Sequence, residues 1–487
     1  MGDGAMSDAI DITSGSHGVG GTRAVVLPDS LGGELKALLI LGLPMSATQV
    51  IQYSVFVADT VMLGRVGTDA LAAAAIGGLL VFFVWMIGTG PINAVTPMAS
   101  QALGRDPHAY TDVRRSVRMA MWAIIILCVP LGALVAFTEP ILIGLGQDPH
   151  VSSLAARYAW AMSPGLPLTL IVMVLRNFLA AIGKTIVPMV LVAIMVAINI
   201  GLNAVLIFGM FGLPALGLVG AGIASSVSYI VCFVMFVTYI GLQAEARQFR
   251  IFANFFNFDR KRFREVVTLS IPMSVTTLFE GMLFNVVVIL VGWIGVAEQA
   301  AYHIGLNVAA MAFMVPWGLA MAGAVRIGMA EGAMNVGARY RSAQSTLLVS
   351  IGLMVIIALF VATQGDIIAD FYFGLDDLEG DAVTRALVLT FLPVAAGFMV
   401  FDAAQVTCNQ LLRGLKDVNW PMIITGVSYW LIGFPLCYGL AFHTPLGALG
   451  VWYGLALGLF AAFIGLGIRL LRQLRQPPRP PDLIAST

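Results

Sequence analysis

The sequence predicts an all-α integral membrane protein, with twelve transmembrane helices in two parallel-repeat six-helix lobes around a central cleft. Three observations carry this. The 487 residues are 59% hydrophobic and 11% charged, with mean hydropathy +0.93, well outside the soluble range. Apolar runs long enough to cross a bilayer recur along the chain. The second half of the chain also repeats the first.

Taken in order, runs of about 20 or more apolar residues fall at roughly 34–63, 69–97, 113–138, 154–182, 187–210, 217–243, 264–293, 298–330, 342–364, 383–412, 421–441 and 446–470. Pro44, Pro91, Pro130, Pro272, Pro316 and Pro393 lie within them. Such prolines are tolerated because neighbouring helices re-satisfy the freed carbonyls, so kinks are expected there. Residues 1–33 carry neither a basic n-region nor an apolar h-region; they read as a disordered cytoplasmic tail, not a secretory signal. The lobes then cover 34–243 and 264–474, joined by a cytoplasmic linker at 244–263 and followed by a tail at 475–487. The four cysteines, Cys128, Cys232, Cys408 and Cys437, sit in apolar runs at spacings that fit no metal or disulfide framework.

Charge sets the orientation. With both termini inside, Arg65, Arg157 and Arg385 alone among the 26 Lys and Arg face outward. The basic clusters (Arg114, Arg115 and Arg118; Arg247 to Arg264; Arg339, Arg341, Arg413 and Lys416) are therefore topology signals, and no nucleic-acid partner is expected. The acidic stretch 365–381 is expected outside.

The repeat is read by a shift of 228 residues, which lays "PMSATQVIQYSVFVADTVMLGRVGTDALAAAAIGG" from Pro44 on "PMSVTTLFEGMLFNVVVILVGWIGVAEQAAYHIGL" from Pro272. Gly64 meets Gly292, Gly67 meets Gly295, and Gly104 meets Gly332. Each six-span half is even-numbered, so the halves share one orientation about an axis along the membrane normal, an architecture of secondary transporters.

Within this apolar frame, Asp59, Glu280 and Asp402 stand out. An acid near a helix centre costs ~2.5–3.5 kcal/mol on insertion scales, so three facing lipid would cost on the order of 8–10 kcal/mol. They are expected to face the lobe interiors and to mark an ion path. Gln52 shares a face of the first span with Asp59, and Asn199 and Asn203 lie four apart on the fifth span. On the tenth span Asp402, Gln405 and Asn409 fall at i, i+3 and i+7, while His303 and Asn307 fall at i, i+4 on the eighth. Glu280 and Asp402 both count to mid-depth and are expected to face each other. A single intramembrane Asn or His more often bonds between helices than binds a ligand.

These residues carry a resemblance. "FVADTVMLGRVGTDALAAAAIG", "TPMASQALG" from Thr96, "NIGLNAVLIFGMFGLPALGLVGAGIAS" from Asn199 and "LRGLKDVNWPM" from Leu412 resemble multidrug and toxic compound extrusion (MATE) transporters, in particular the NorM-type bacterial branch, over about 34–470. The resemblance implies that Asp59 with Asn199 and Asn203 forms a first-lobe site, and that Glu280 and Asp402 form a second-lobe cation site; the polar stripes add Gln52 in support of the first and Gln405, Asn409 and His303 in support of the second. Some sodium-coupled members carry a Tyr one turn before the tenth-span Asp, where this chain has Phe398. Na+ at Glu280, Asp402 or Asp59 wants several oxygens, whereas a proton needs one carboxylate, so H+ is favoured as the coupling ion.

No other energy source is written in the chain. There is no phosphate-binding GxxxxGK[ST] loop, "AIGKT" having Phe178 where the first Gly should stand, and neither HExxH nor GxSxG occurs. The expectation is a non-enzymatic antiporter without cofactor. It would export cationic or amphipathic small molecules across a bacterial inner membrane in exchange for H+ or Na+, contribute to antibiotic resistance, and work as a monomer among lipids. The alternative is a flippase for a lipid-linked saccharide or envelope precursor, whose cleft would need Arg or Lys for pyrophosphate. Arg176 and Arg326 approach the cytoplasmic ends of spans and read as boundary residues.

Overall fold

The computed structural model describes residues 27–373 and 379–478. Of the tails expected at 1–33 and 475–487, residues 1–26 and 479–487 lie outside the described residues, as does the 374–378 part of the acidic stretch. Within them every regular element is helical. Eleven helices are long and apolar enough to cross a bilayer, and one bent pair supplies a twelfth span.

In chain order the spans are Leu31–Gly64, Thr68–Arg105, Tyr110–Ala136, the pair Pro149–Met162 and Leu166–Ala181, Ile186–Phe208 and Gly217–Leu242. The second lobe follows with Arg260–Gly292, Val296–Gly332, Val336–Thr363, Glu379–Gly414, Asn419–Phe442 and Ala448–Arg475. Side chains placed one residue ahead fix several starts. Ser30 accepts from the Gly33 N–H, Asp259 from Arg262 and Asn335 from Ala338, each satisfying a donor that the first turn leaves free. The fourth span bends by 47° at Ser163–Gly165, where Pro164 breaks the ladder and Pro167 sits in the first turn of the second half, which needs no donor there. The eleventh carries a π-helical turn, Val427–Gly433.

Some boundaries differ from the sequence reading. The first helix already begins at Leu31, inside the stretch read as tail, because the Ser30 cap sits there. Short helices at Thr138–Gly144 and Gly365–Phe373 are too brief to show as spans. The linker is packed down: Arg118 Nη1 donates to Asn254 O (2.8 Å), Trp122 Nε1 donates to Phe255 O (2.9 Å), and Arg115 pairs with Asp259.

The 228-residue shift reappears as contacts between the lobes. Ser46 Oγ on the first span donates to Val315 O on the eighth (2.7 Å), and its repeat partner Ser274 donates to Ile87 O on the second (2.7 Å). A Cβ on Gly104 would collide with the Met329 backbone, and one on Gly332 with the Gln101 backbone. Position by position, these are the same contacts made twice. A shared apolar seam of Leu38, Leu41, Met45, Met321, Val325 and Met329 fills the space beside them. All of this lies in the half of the bundle nearest the termini. Toward the other end, a 3.5 Å hydrogen bond joins Tyr53 Oη to Asn307 Oδ1 between exposed side chains.

Candidate functional site

In the first lobe the fifth span delivers two amides to one carboxylate. Asn199 and Asn203, one turn apart and both fully buried, present the same face. Asn203 Nδ2 donates to Asp59 Oδ1 and to Asn199 Oδ1 (3.1 Å), and Asn199 Nδ2 reaches Ser225 Oγ at 3.4 Å. Tyr158 and Tyr229 lie within electrostatic reach of Asp59. A carboxylate held in this way keeps acceptor positions for a proton or a small cation. Asn203 Oδ1 is buried without a partner, a further oxygen aimed into the same cluster.

Gln52 is not part of that cluster. Its Oε1 accepts from Arg176 Nη1 at 2.9 Å. Arg176 and Arg326, read from the sequence as boundary residues near the cytoplasmic ends of spans, lie within two turns of their helix ends and are buried among neighbouring helices, at 7% and 1% exposure. Arg326 is interior because its guanidinium meets the Glu34 carboxylate, which also accepts from Ser342 Oγ. Helix counting could not anticipate that meeting, since Glu34 belongs to the other lobe.

In the second lobe the structure brings Glu280 and Asp402 together. Gln405 Nε2 donates to Glu280 Oε1 and to Asp402 Oδ1, both at 3.3 Å. Three buried oxygens nearby have no partner: Gln405 Oε1, Asn409 Oδ1 one turn further along the same helix face, and Tyr429 Oη. Tyr429 sits on the π-helical turn, fully buried and within electrostatic reach of both acids. Nothing in "GVSYWLIG" distinguished it from an ordinary interfacial tyrosine, because its relevance depends on a neighbouring helix. Phe398, where a hydroxyl would be wanted, packs edge-on against Phe284 and Trp452 with centroids 6.0 and 5.5 Å away.

His303 stands apart. It is exposed, on the helix face of Asn307, the residue that meets Tyr53 across the lobes, and no hydrogen bond or ion pair links it to Glu280 or Asp402 among the described residues. Nor do the described residues hold a cluster of three or more His, Cys, Asp or Glu able to bind a metal. What the second lobe offers is two carboxylates plus amide and phenol oxygens, a donor set suited to a hard monovalent cation or a proton and not to a transition metal.

Comparison with known proteins gives the family and the fold. The MatE family model matches residues 44–205 and 272–439, one segment in each lobe, beginning at the two repeat prolines. The chain is 38% identical over 454 residues to the "Probable multidrug resistance protein NorM" of Rhizobium meliloti strain 1021, covering 92% of this chain and 95% of that one. It is 32% identical to the protein of the same description from Bacillus subtilis strain 168, covering 90% and 96%. Among solved structures, an outward-facing multidrug resistance MATE transporter of the MOP superfamily superposes with TM-score 0.82 at 18% identity, over 94% of this chain and 99% of that one. The eukaryotic MATE transporter AtDTX14 gives 0.79 at 20% identity, over 91% and 99%.

Proposed function

The chain belongs to the MatE family, and on that premise we propose that this multi-pass membrane protein is a multidrug exporter driven by cation antiport. The observation that carries the reading is that each lobe holds carboxylate inside its spans by amide side chains, the half-buried Asp59 by Asn203, and the half-buried Glu280 with the buried Asp402 by Gln405. Intramembrane acids that are hydrogen-bonded but form no salt bridge can trade a proton or Na+ for the positive charge of a substrate. The multidrug-resistance description of the relatives supports the cargo class: amphipathic and cationic small molecules.

In the proposed cycle, ionised acids favour an organic cation entering from the cytoplasm, the lobes rock outward, and an entering H+ or Na+ neutralises the acids and releases the cargo. The membrane potential contributes ~2.3 kcal/mol per charge per 100 mV. H+ is the favoured ion on the sequence argument from Phe398. The unpartnered oxygens of Tyr429, Gln405 and Asn409 add ligands that a Na+ ion needs, and so keep Na+ as the specific second choice. The closed half would face the cytoplasm of a bacterial inner membrane, both termini would lie on that side, and the working unit would be one chain.

The test is export of a fluorescent organic cation by purified protein in liposomes, under a pH gradient and, separately, a Na+ gradient. Drive by one of them is expected, with Asp59→Asn and Asp402→Asn each abolishing it. Wild-type export rates in both variants would overturn the scheme. Lipid scrambling without gradient-driven export would replace it with the flippase.

A further inference from the structure

A charge inside an apolar lobe must be answered by an opposite charge or by water. Arg176 has five N–H donors and gives one hydrogen bond, to Gln52; it makes no ion pair with any carboxylate among the described residues. Two cavities of about 10 Å³ each lie against it, each with room for about one water. Apolar atoms make up most of both linings; the polar side chains are Gln52, Thr169, Arg176 and Tyr229 on the first, and Thr48, Gln49, Arg176 and Thr185 on the second. Arg176 is the one residue common to both linings.

The cavities also point in opposite directions. Gln52 puts the first on the face of the first span that carries Asp59 two turns further along, and Tyr229 of the same lining interacts electrostatically with Asp59. Thr185 puts the second next to Lys184, which pairs with Glu245 (2.7 Å) of the linker at the end of the bundle that carries the termini. Polar groups therefore run from Asp59 through Tyr229, Gln52, Arg176 and Gln49 to Thr185, with the guanidinium standing midway.

We infer that Arg176 is an electrostatic plug in a water path leading from Asp59 to the termini-bearing face, and that it holds the coupling cation in the lobe until the lobes rearrange. A fixed positive charge in a narrow, poorly screened passage repels H+ and Na+ while leaving water in place. Without it an ion bound at Asp59 drains through the lobe and the gradient is lost without export. Arg176 is thus a positioning residue that touches neither cargo nor ion. The inference rests on the antiport reading for its purpose, but its readout does not need antiport.

That readout is the leak of H+ and, separately, Na+ through reconstituted protein without substrate, followed by a pH-sensitive or Na+-sensitive dye trapped in the liposomes. Arg176→Gln is expected to collapse at least one gradient about tenfold faster than wild type, the scale of effect for removing a poorly screened unit charge. Arg176→Lys keeps the charge and should stay tight. Gln52→Glu leaves the arginine in place and neutralises its field, so it should leak as well, and it serves if Arg176→Gln does not reconstitute. Vesicles of R176Q and Q52E as tight as wild type to both ions would overturn the plug. A tight wild type that exports under neither gradient would overturn antiport instead, while leaky variants would still support the plug.

Discussion

Asp59, Glu280 and Asp402 were legible from sequence because a carboxylate in hydrocarbon is too costly to be incidental. Their amide neighbours Asn199, Asn203 and Gln405 were legible because helix periodicity placed them on the same faces. Tyr429 was not, since a tyrosine in an apolar span is ordinary until a second helix brings acids to its hydroxyl. It is also a discriminating position. A buried phenol without a partner costs about 1–3 kcal/mol, so if Tyr429 served packing alone, Tyr429→Phe would be neutral or stabilising and would leave transport unchanged. Its place beside the acid pair predicts instead that Tyr429→Phe keeps or gains thermal stability while raising the H+ or Na+ concentration for half-maximal export about five- to tenfold. Ion titration of export, alongside thermal unfolding in detergent, separates the two outcomes.

Helices make the lobes, but small residues decide how closely the lobes approach. Gly104 and Gly332 sit where the second and eighth spans cross, Gly104 against the Met329 backbone and Gly332 against the Gln101 backbone. Overfilling a packed contact costs about 1–3 kcal/mol, and the cost disappears when the lobes part at that end. Gly104→Val and Gly332→Val are therefore both expected to open the termini-bearing face. The change would be read as a longer distance between spin labels on exposed His108 and Met334, while Gly132→Val, with nothing within 4 Å of its Cβ, should leave it unchanged. An unaltered distance in both Gly104 and Gly332 variants would mean that this seam does not control closure. The sequence shift had paired these glycines, yet it could not say that they pack on one another's partner helices, because a repeat fixes equivalence and not adjacency.

Across the whole molecule, the head of each lobe's first helix is tied to the opposite lobe with reversed charge. Glu34 pairs with Arg326, and its repeat equivalent Arg262 pairs with Asp112 at 3.0 Å. The Glu34 pair is fully buried, and removing one partner of such a pair costs about 3–5 kcal/mol, close to the ~5.5 kcal/mol that inverts a 99:1 equilibrium. Glu34→Ala should lower the thermal midpoint and lengthen the same spin-label distance. Asp29→Ala, whose side chain is fully exposed opposite Arg341 at 3.7 Å, should change neither, since exposed pairs contribute little. An E34A variant indistinguishable from wild type would show that the pair does not hold the face shut.

The sequence by itself determined the membrane environment, the span count, the repeat and the buried acids. Each of these follows from a local rule: lipid offers no partner for a free backbone group or a bare charge, so composition and periodicity must declare where such groups go. Only the tertiary structure decided that Arg176 and Arg326 are buried between helices, that Gln52 bonds an arginine, that His303 is exposed without a bond to the acid pair, and that Tyr429 lies within reach of it. Those are outcomes of packing between helices far apart in the chain, where the energy of a side chain is set by neighbours that no local pattern names.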